Sequence, residues 1–166
     1  MDLRRRSILS LLTLSLAVSP AAFGADTGFE GKWELDKKKT KATGAPVNLE
    51  MEIEQDGPKV LIKSKYQEPK SAVYPLLWVG IMTYELELTT DGSEKVTQVG
   101  PFAHNSKTRI EGNKMTTEFV ASNGEGKVDG QWIRTLSPDG KEMTVQVLTE
   151  ASDGRKLDQT LVFKRK

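Results

Sequence analysis

Apolar and polar residues alternate with a period of two along most of the chain beyond about residue 25. Val47, Leu49, Met51 and Ile53 alternate with Asn48, Glu50, Glu52 and Glu54. Tyr84, Leu86 and Leu88 alternate with Glu85 and Glu87, and Met143, Val145 and Val147 with Thr144 and Gln146. Met115 to Phe119 and Leu157 to Phe163 follow the same rule. Successive side chains of a strand point to opposite faces, so this pattern specifies strands that bury one face. Turn signals separate the runs: Asp56-Gly57-Pro58, Asp91-Gly92, Glu111-Gly112-Asn113, Asn123-Gly124, Pro138-Asp139-Gly140 and Asp153-Gly154. Asp-Gly and Asn-Gly tolerate the positive φ of tight hairpin turns. The predicted chain path is a meander of about eight to ten strands. A sheet with one apolar face has to cover that face, either as a sandwich or by closing on itself, and closure also removes the exposed edges. The expected fold is therefore all-β, a single antiparallel up-and-down β-barrel over residues 25–166.

Residues 1–24 break the alternation. Arg4, Arg5 and Arg6 precede a short apolar run from Ile8 to Val18, and Ala22 and Gly24 stand before Ala25. A basic start, a short apolar centre and small residues at the end make a secretory signal peptide. The run is shorter than the roughly 20 apolar residues that span a membrane, so no stable insertion is expected after cleavage. Arg5-Arg6 also suits twin-arginine export. The expected location is secreted or periplasmic. No cysteine follows the apolar run, so a lipid-anchored product is ruled out.

The whole chain carries 24 basic and 23 acidic side chains. Three arginines and one aspartate leave with residues 1–24, so 21 basic and 22 acidic remain, a net charge of −1. That balance lacks the positive footprint of a nucleic-acid binder. With no cysteine and a single histidine, His104, the chain offers neither thiolate chemistry nor a set of zinc ligands. No Gly-X-Ser-X-Gly elbow or phosphate-cradling loop is present, and no cofactor or metal is implied. The one enzyme reading rests on His104 lying two residues from Ser106, and the chain is read as a non-enzyme.

Gly31-Lys32-Trp33 at the first strand, followed by a long antiparallel meander, resembles the lipocalin and wider calycin pattern. The stretches "GKWELDKKKTK" and "RTLSPDGKEMTV" are similar to those of small exported bacterial lipocalin-like proteins of unassigned role. The resemblance runs from about Phe29 to Lys166. It implies that Trp33 plugs one end of the barrel, that Gly31 allows close backbone approach, and that Arg165, on the parity of Leu161 and Phe163, packs across the tryptophan. The Asp36–Pro46 connection is too short for the two-helix lid of fatty-acid-binding proteins.

In a closed barrel one parity lines the interior. The apolar parity carries polar residues inward with it. The candidate ligand-binding residues are Tyr66, Tyr84, His104, Thr117, Phe119, Trp132, Arg134 and Met143. Turning Trp132 and Leu136 inward also turns Arg134 inward, and a buried arginine requires a carboxylate from the protein or from a ligand. An apolar interior with a few polar groups is the usual form of a small-molecule site. Two readings follow. One is an exported barrel that binds a small apolar or amphipathic ligand, with a carboxylate to match Arg134. The other is a protein-interaction or inhibitor barrel with a filled core, docking a partner through the continuously apolar Pro75–Met82 stretch.

Overall fold

The computed structural model describes residues 28–42, 44, 47–67, 75–78, 81 and 85–166. The signal-peptide pattern and the candidate residue Tyr84 lie outside these described residues. Ten antiparallel strands form one sheet: β1 (Gly31–Leu35), β2 (Val47–Asp56), β3 (Lys59–Gln67), β4 (Glu85–Thr89), β5 (Asp91–Val99), β6 (Phe102–Glu111), β7 (Lys114–Asn123), β8 (Gly126–Leu136), β9 (Glu142–Ala151) and β10 (Lys156–Arg165). The order across the sheet is β4-β3-β2-β1-β10-β9-β8-β7-β6-β5. The first and last strands pair, Trp33 opposite Arg165 and Leu35 opposite Phe163, and this wraps the meander into a barrel.

The alternation sets the two faces. Leu49, Met51, Ile53, Val60, Ile62, Leu86 and Leu88 are buried on one wall; Met115, Phe119, Ala121, Val128, Trp132, Val145, Val147 and Leu161 are buried on the other. The intervening positions face water and carry cross-strand ion pairs, among them Lys32–Glu52, Lys63–Glu54, Lys164–Glu34 and Lys166–Glu50. Each exposed pair contributes only about 0–1 kcal/mol. Their larger effect is on register, because a one-residue slip of β2 would push Glu50, Glu52 and Glu54 into the core.

One end of the barrel is closed by Trp33, which is fully buried and donates from Nε1 to the carbonyl oxygen of Phe29 at 2.9 Å. The guanidinium of Arg165 lies over the indole, Cζ 4.3 Å from the ring centroid. It also donates to the carbonyl oxygens of Gly28, Glu30 and Gly140. Gly31 makes this approach feasible. Its φ is 119°, and a Cβ there would stand 2.8 Å from Arg165 Nη1.

The barrel is not fully closed, which corrects the expectation of a wall without edges. β4 and β5 are the two ends of the sheet. Asp91 makes its turn, accepting from the Ser93 amide at 2.9 Å, but no backbone ladder joins the two strands it connects. Side chains bridge the seam instead: Lys95 pairs with Glu87 at 2.9 Å, and the Thr97 hydroxyl donates to the Glu87 carbonyl at 3.2 Å. The cause lies in β5, whose inward positions include Lys95 and Thr97 and whose register slips between Asp91 and Glu94. A strand with little apolar surface on either face has little to gain by docking edge-on. A groove of about 810 Å³ borders the seam, lined in part by Val60, Leu88, Thr89 and Lys95.

Between β3 and β4, Pro75–Trp78 forms one 3-10 turn. Leu77, Trp78 and Ile81 are buried in the core, and the Thr149 hydroxyl of β9 donates to the Leu77 carbonyl at 3.0 Å. The partner-docking surface expected for Pro75–Met82 is corrected at these three residues. Their side chains pack inward, because an apolar segment beside an open barrel end gains more by entering the core than by meeting water.

Replacing Gly31 by Ala combines an unfavourable positive φ with a clash against Arg165. It should lower unfolding stability by about 1–3 kcal/mol, read from the urea midpoint.

Candidate functional site

The strands β6, β7 and β8 place their inward polar and aromatic residues on one curved patch of wall. Their register pairs Thr108 with Thr117, Thr117 with Trp132, and Met115 with Arg134. His104, Thr117, Phe119, Trp132 and Arg134 are all buried, four of them with no exposed surface at all. Three rings stack together. Phe119 and Trp132 are 4.1 Å apart between centroids, His104 and Phe119 5.0 Å, and His104 and Trp132 5.3 Å with planes only 5° apart. Gly130 leaves the room for this stack. A Cβ there would come within 2.5 Å of the Phe119 ring and 2.8 Å of Thr149. An isolated glycine inside a strand is the sequence signal for such a close approach, and it identifies a contributor outside the candidate set.

Arg134 dominates the electrostatics. It sits between Met115 and Val145 on the neighbouring strands, with its Cζ 5.5 Å from the Trp132 ring. Its Nε, Nη1 and Nη2 have no hydrogen-bond partner among the described residues. Every acidic side chain of the ten strands falls on the outward parity, so no carboxylate of the wall reaches it. Burial lowers its pKa to about 10, still far above neutral, and the guanidinium remains charged at physiological pH. A cation–π contact offsets only about 2 kcal/mol of a desolvation cost that is larger for a full charge.

His104 is also buried, with no partner at either ring nitrogen among the described residues. Burial lowers its pKa from 6.5 to about 4, so the ring is neutral at pH 7. Among the described residues, the indole Nε1 of Trp132 and the hydroxyl of Ser64 on β3 are unpartnered as well. Thr117 differs, because its hydroxyl is already bonded to that of Thr108 at 3.0 Å. Met143 pairs with Leu136 and Phe163 in the layer next to the closed end, and Tyr66 is half-buried near the opposite end of β3. The structure thus brings His104, Phe119, Trp132 and Arg134 together, with Thr117 beside them, and sets Met143 and Tyr66 apart. Ser106, the residue behind the enzyme reading, is buried and donates to the Lys95 carbonyl at 3.4 Å. Among the described residues no group of three or more His, Asp or Glu is placed to hold a metal ion.

No family model matches the chain, and no curated protein matches it. Solved structures do. A secretory abundant heat soluble protein of Ramazzottius varieornatus superposes with a TM-score of 0.51 at 12% identity, over 84% of this chain and 96% of that one. The zebrafish ileal bile acid-binding protein complexed with cholic acid gives 0.51 at 15% identity, over 84% and 99%. Fatty-acid-binding protein 1 of Echinococcus granulosus gives 0.50 at 10% identity, over 83% and 97%. The fold is that of the fatty-acid-binding and lipocalin-like barrels. Two of these three neighbours are named as binding proteins, and none as an enzyme.

Two outcomes follow from the buried groups. In the ligand-free protein, Arg134→Met removes an unpaired charge at similar volume and should raise unfolding stability by about 1–4 kcal/mol in urea denaturation. For His104, the folded-state pKa lies below the unfolded value, so its neutral form favours folding. That contribution is complete above pH 6.5 and is lost as the pH falls from 6.5 to about 4. Its loss over that window should be about 3 kcal/mol in the wild type, and a His104→Phe variant should lack this part of the pH dependence of the urea midpoint.

Proposed function

We propose that this protein is an exported carrier or sensor of a small amphipathic anion, held with its acidic head at Arg134 and its apolar body along the Phe119–Trp132 wall. The observation that carries the reading is the Arg134 guanidinium: fully buried, charged and without an acid or acceptor among the described residues. An unpaired charge in an apolar interior is strongly unfavourable, and a carboxylate brought by a ligand removes the deficit with charge-assisted, bidentate hydrogen bonds. The rest of the interior suits the rest of such a molecule, since it is apolar and aromatic with few polar groups. Shared architecture with a fatty-acid-binding protein and with a bile acid-binding protein supports the same class of ligand. Export, to a periplasm or to the medium, is supported by the basic start, apolar run and small residues of residues 1–24. The filled-core docking reading is not retained, because Leu77, Trp78 and Ile81 are buried.

The test is displacement of a fluorescent hydrophobic probe from delipidated protein by dodecanoate and by dodecanol, with native mass spectrometry of the protein as purified. Dodecanoate should bind at least about tenfold more tightly than the alcohol, as expected for hydrogen bonds to a charged group worth about 1.5–3 kcal/mol. Arg134→Met should abolish that difference while leaving dodecanol binding nearly unchanged. Failure of the wild-type protein to carry any ligand or to release the probe would overturn the reading.

A further inference from the structure

The orphaned polar atoms of the interior extend beyond Arg134, and they say more about the ligand than its charge. Resting on the amphipathic-anion reading above, we infer that the ligand carries a hydroxyl group partway along its apolar body, recognised by the His104 imidazole with the Trp132 indole N–H beside it. Three observations support this.

First, both His104 nitrogens and Trp132 Nε1 are buried and have no protein partner among the described residues. A neutral imidazole has one N–H donor and one bare nitrogen acceptor, and an indole has a donor only. Burial without any acid nearby keeps His104 in that neutral form. A plain alkyl chain lying against these atoms would leave two donors and one acceptor unsatisfied, at about 1–3 kcal/mol each. A hydroxyl both accepts and donates, so it answers a neutral histidine, whereas a second carboxylate only accepts and would be left without a cation there.

Second, the position relative to Arg134 is bounded. The Trp132 ring touches both groups, with His104 at 5.3 Å and Arg134 Cζ at 5.5 Å from its centroid. The two recognition points therefore lie within about 11 Å of each other, the sum of those distances. That span fits inside one medium-length acyl chain or one fused-ring skeleton, so a single small molecule meets both.

Third, the histidine is held in place. Its ring is stacked nearly parallel to Trp132 and within 5.0 Å of Phe119, and Gly130 keeps Phe119 in that position. A polar group fixed by packing on apolar rings, with its nitrogens left free, discriminates by hydrogen bonding: an analogue lacking the matching group leaves it unpaired.

The experiment compares decanoic acid with its monohydroxy isomers as competitors for a bound fluorescent probe, at pH 7, on the wild-type protein and on His104→Phe. Phe preserves the aromatic stack and removes both nitrogens. In the wild type at least one hydroxydecanoic acid should bind about tenfold or more tightly than decanoic acid, and in His104→Phe that preference should vanish while decanoic acid still binds. If every hydroxylated isomer binds the wild type no better than decanoic acid, the hydroxyl inference is wrong and the amphipathic-anion reading stands. If none of these acids binds, the amphipathic-anion reading falls and takes this inference with it. The wild-type comparison decides the matter even if His104→Phe does not fold.

Discussion

Arg165 joins the two ends of the barrel chain, and the closed end is built around it. Its guanidinium lies on the Trp33 ring and reaches the carbonyl oxygens of Gly28, Glu30 and Gly140. Those acceptors come from the segment before β1 and from the β8–β9 turn. One side chain thus ties two separate backbone segments to the last strand. The opening Gly-X-Trp follows from this contact. Trp33 supplies the flat surface, and Gly31 supplies a positive φ and the missing Cβ that let the guanidinium come close. The closure holds β1 against β10, and that pairing turns an open meander into a container.

Inside the container, stability and binding pull in opposite directions. The wall is apolar and packed, and a second arginine, Arg134, has no counter-charge among the described residues. The protein places its strand carboxylates outside, where several pair with lysines in water and contribute little. Leaving one cation alone in the interior therefore costs stability, and on the proposed reading an anionic ligand restores it. The same logic applies more weakly to His104, whose stacking on Trp132 and Phe119 fixes its position while its nitrogens go unanswered. Thr108 and Thr117 form the contrast, since their hydroxyls satisfy each other and leave nothing for a ligand to complete.

Much of this was legible in the alternation itself. Once Trp132 and Leu136 are assigned to the core, the two-residue period brings Arg134 with them, and the same parity brings in His104, Thr117 and Phe119. Other parts were not legible. β5 shows no alternation, because Lys95 and Thr97 take inward positions beside a seam where the wall does not close, so its polarity reads as loop. Leu77, Trp78 and Ile81 form part of an uninterrupted apolar run that suits a buried turn and an exposed patch equally well. Met143 and Tyr66 share the inward parity of the site, yet strand position sends one toward the closed end and the other to the opposite end of β3. Gly130 carried a local signal, a lone glycine in a strand, but its partner Phe119 lies on the neighbouring strand and is not visible from β8 alone.

The sequence by itself determined the fold class, the strand count to within a few and the inward parity of most strands. These depend on a local period and on short-range turn chemistry, which each segment carries independently of the others. Only the tertiary structure decided that β4 and β5 part at a seam, that Leu77, Trp78 and Ile81 pack inward beside Thr149, and that Arg134 and His104 meet on one indole without an acid between them among the described residues. Those features depend on which strands become neighbours and how far side chains reach across the barrel, and a periodic pattern holds no record of distance.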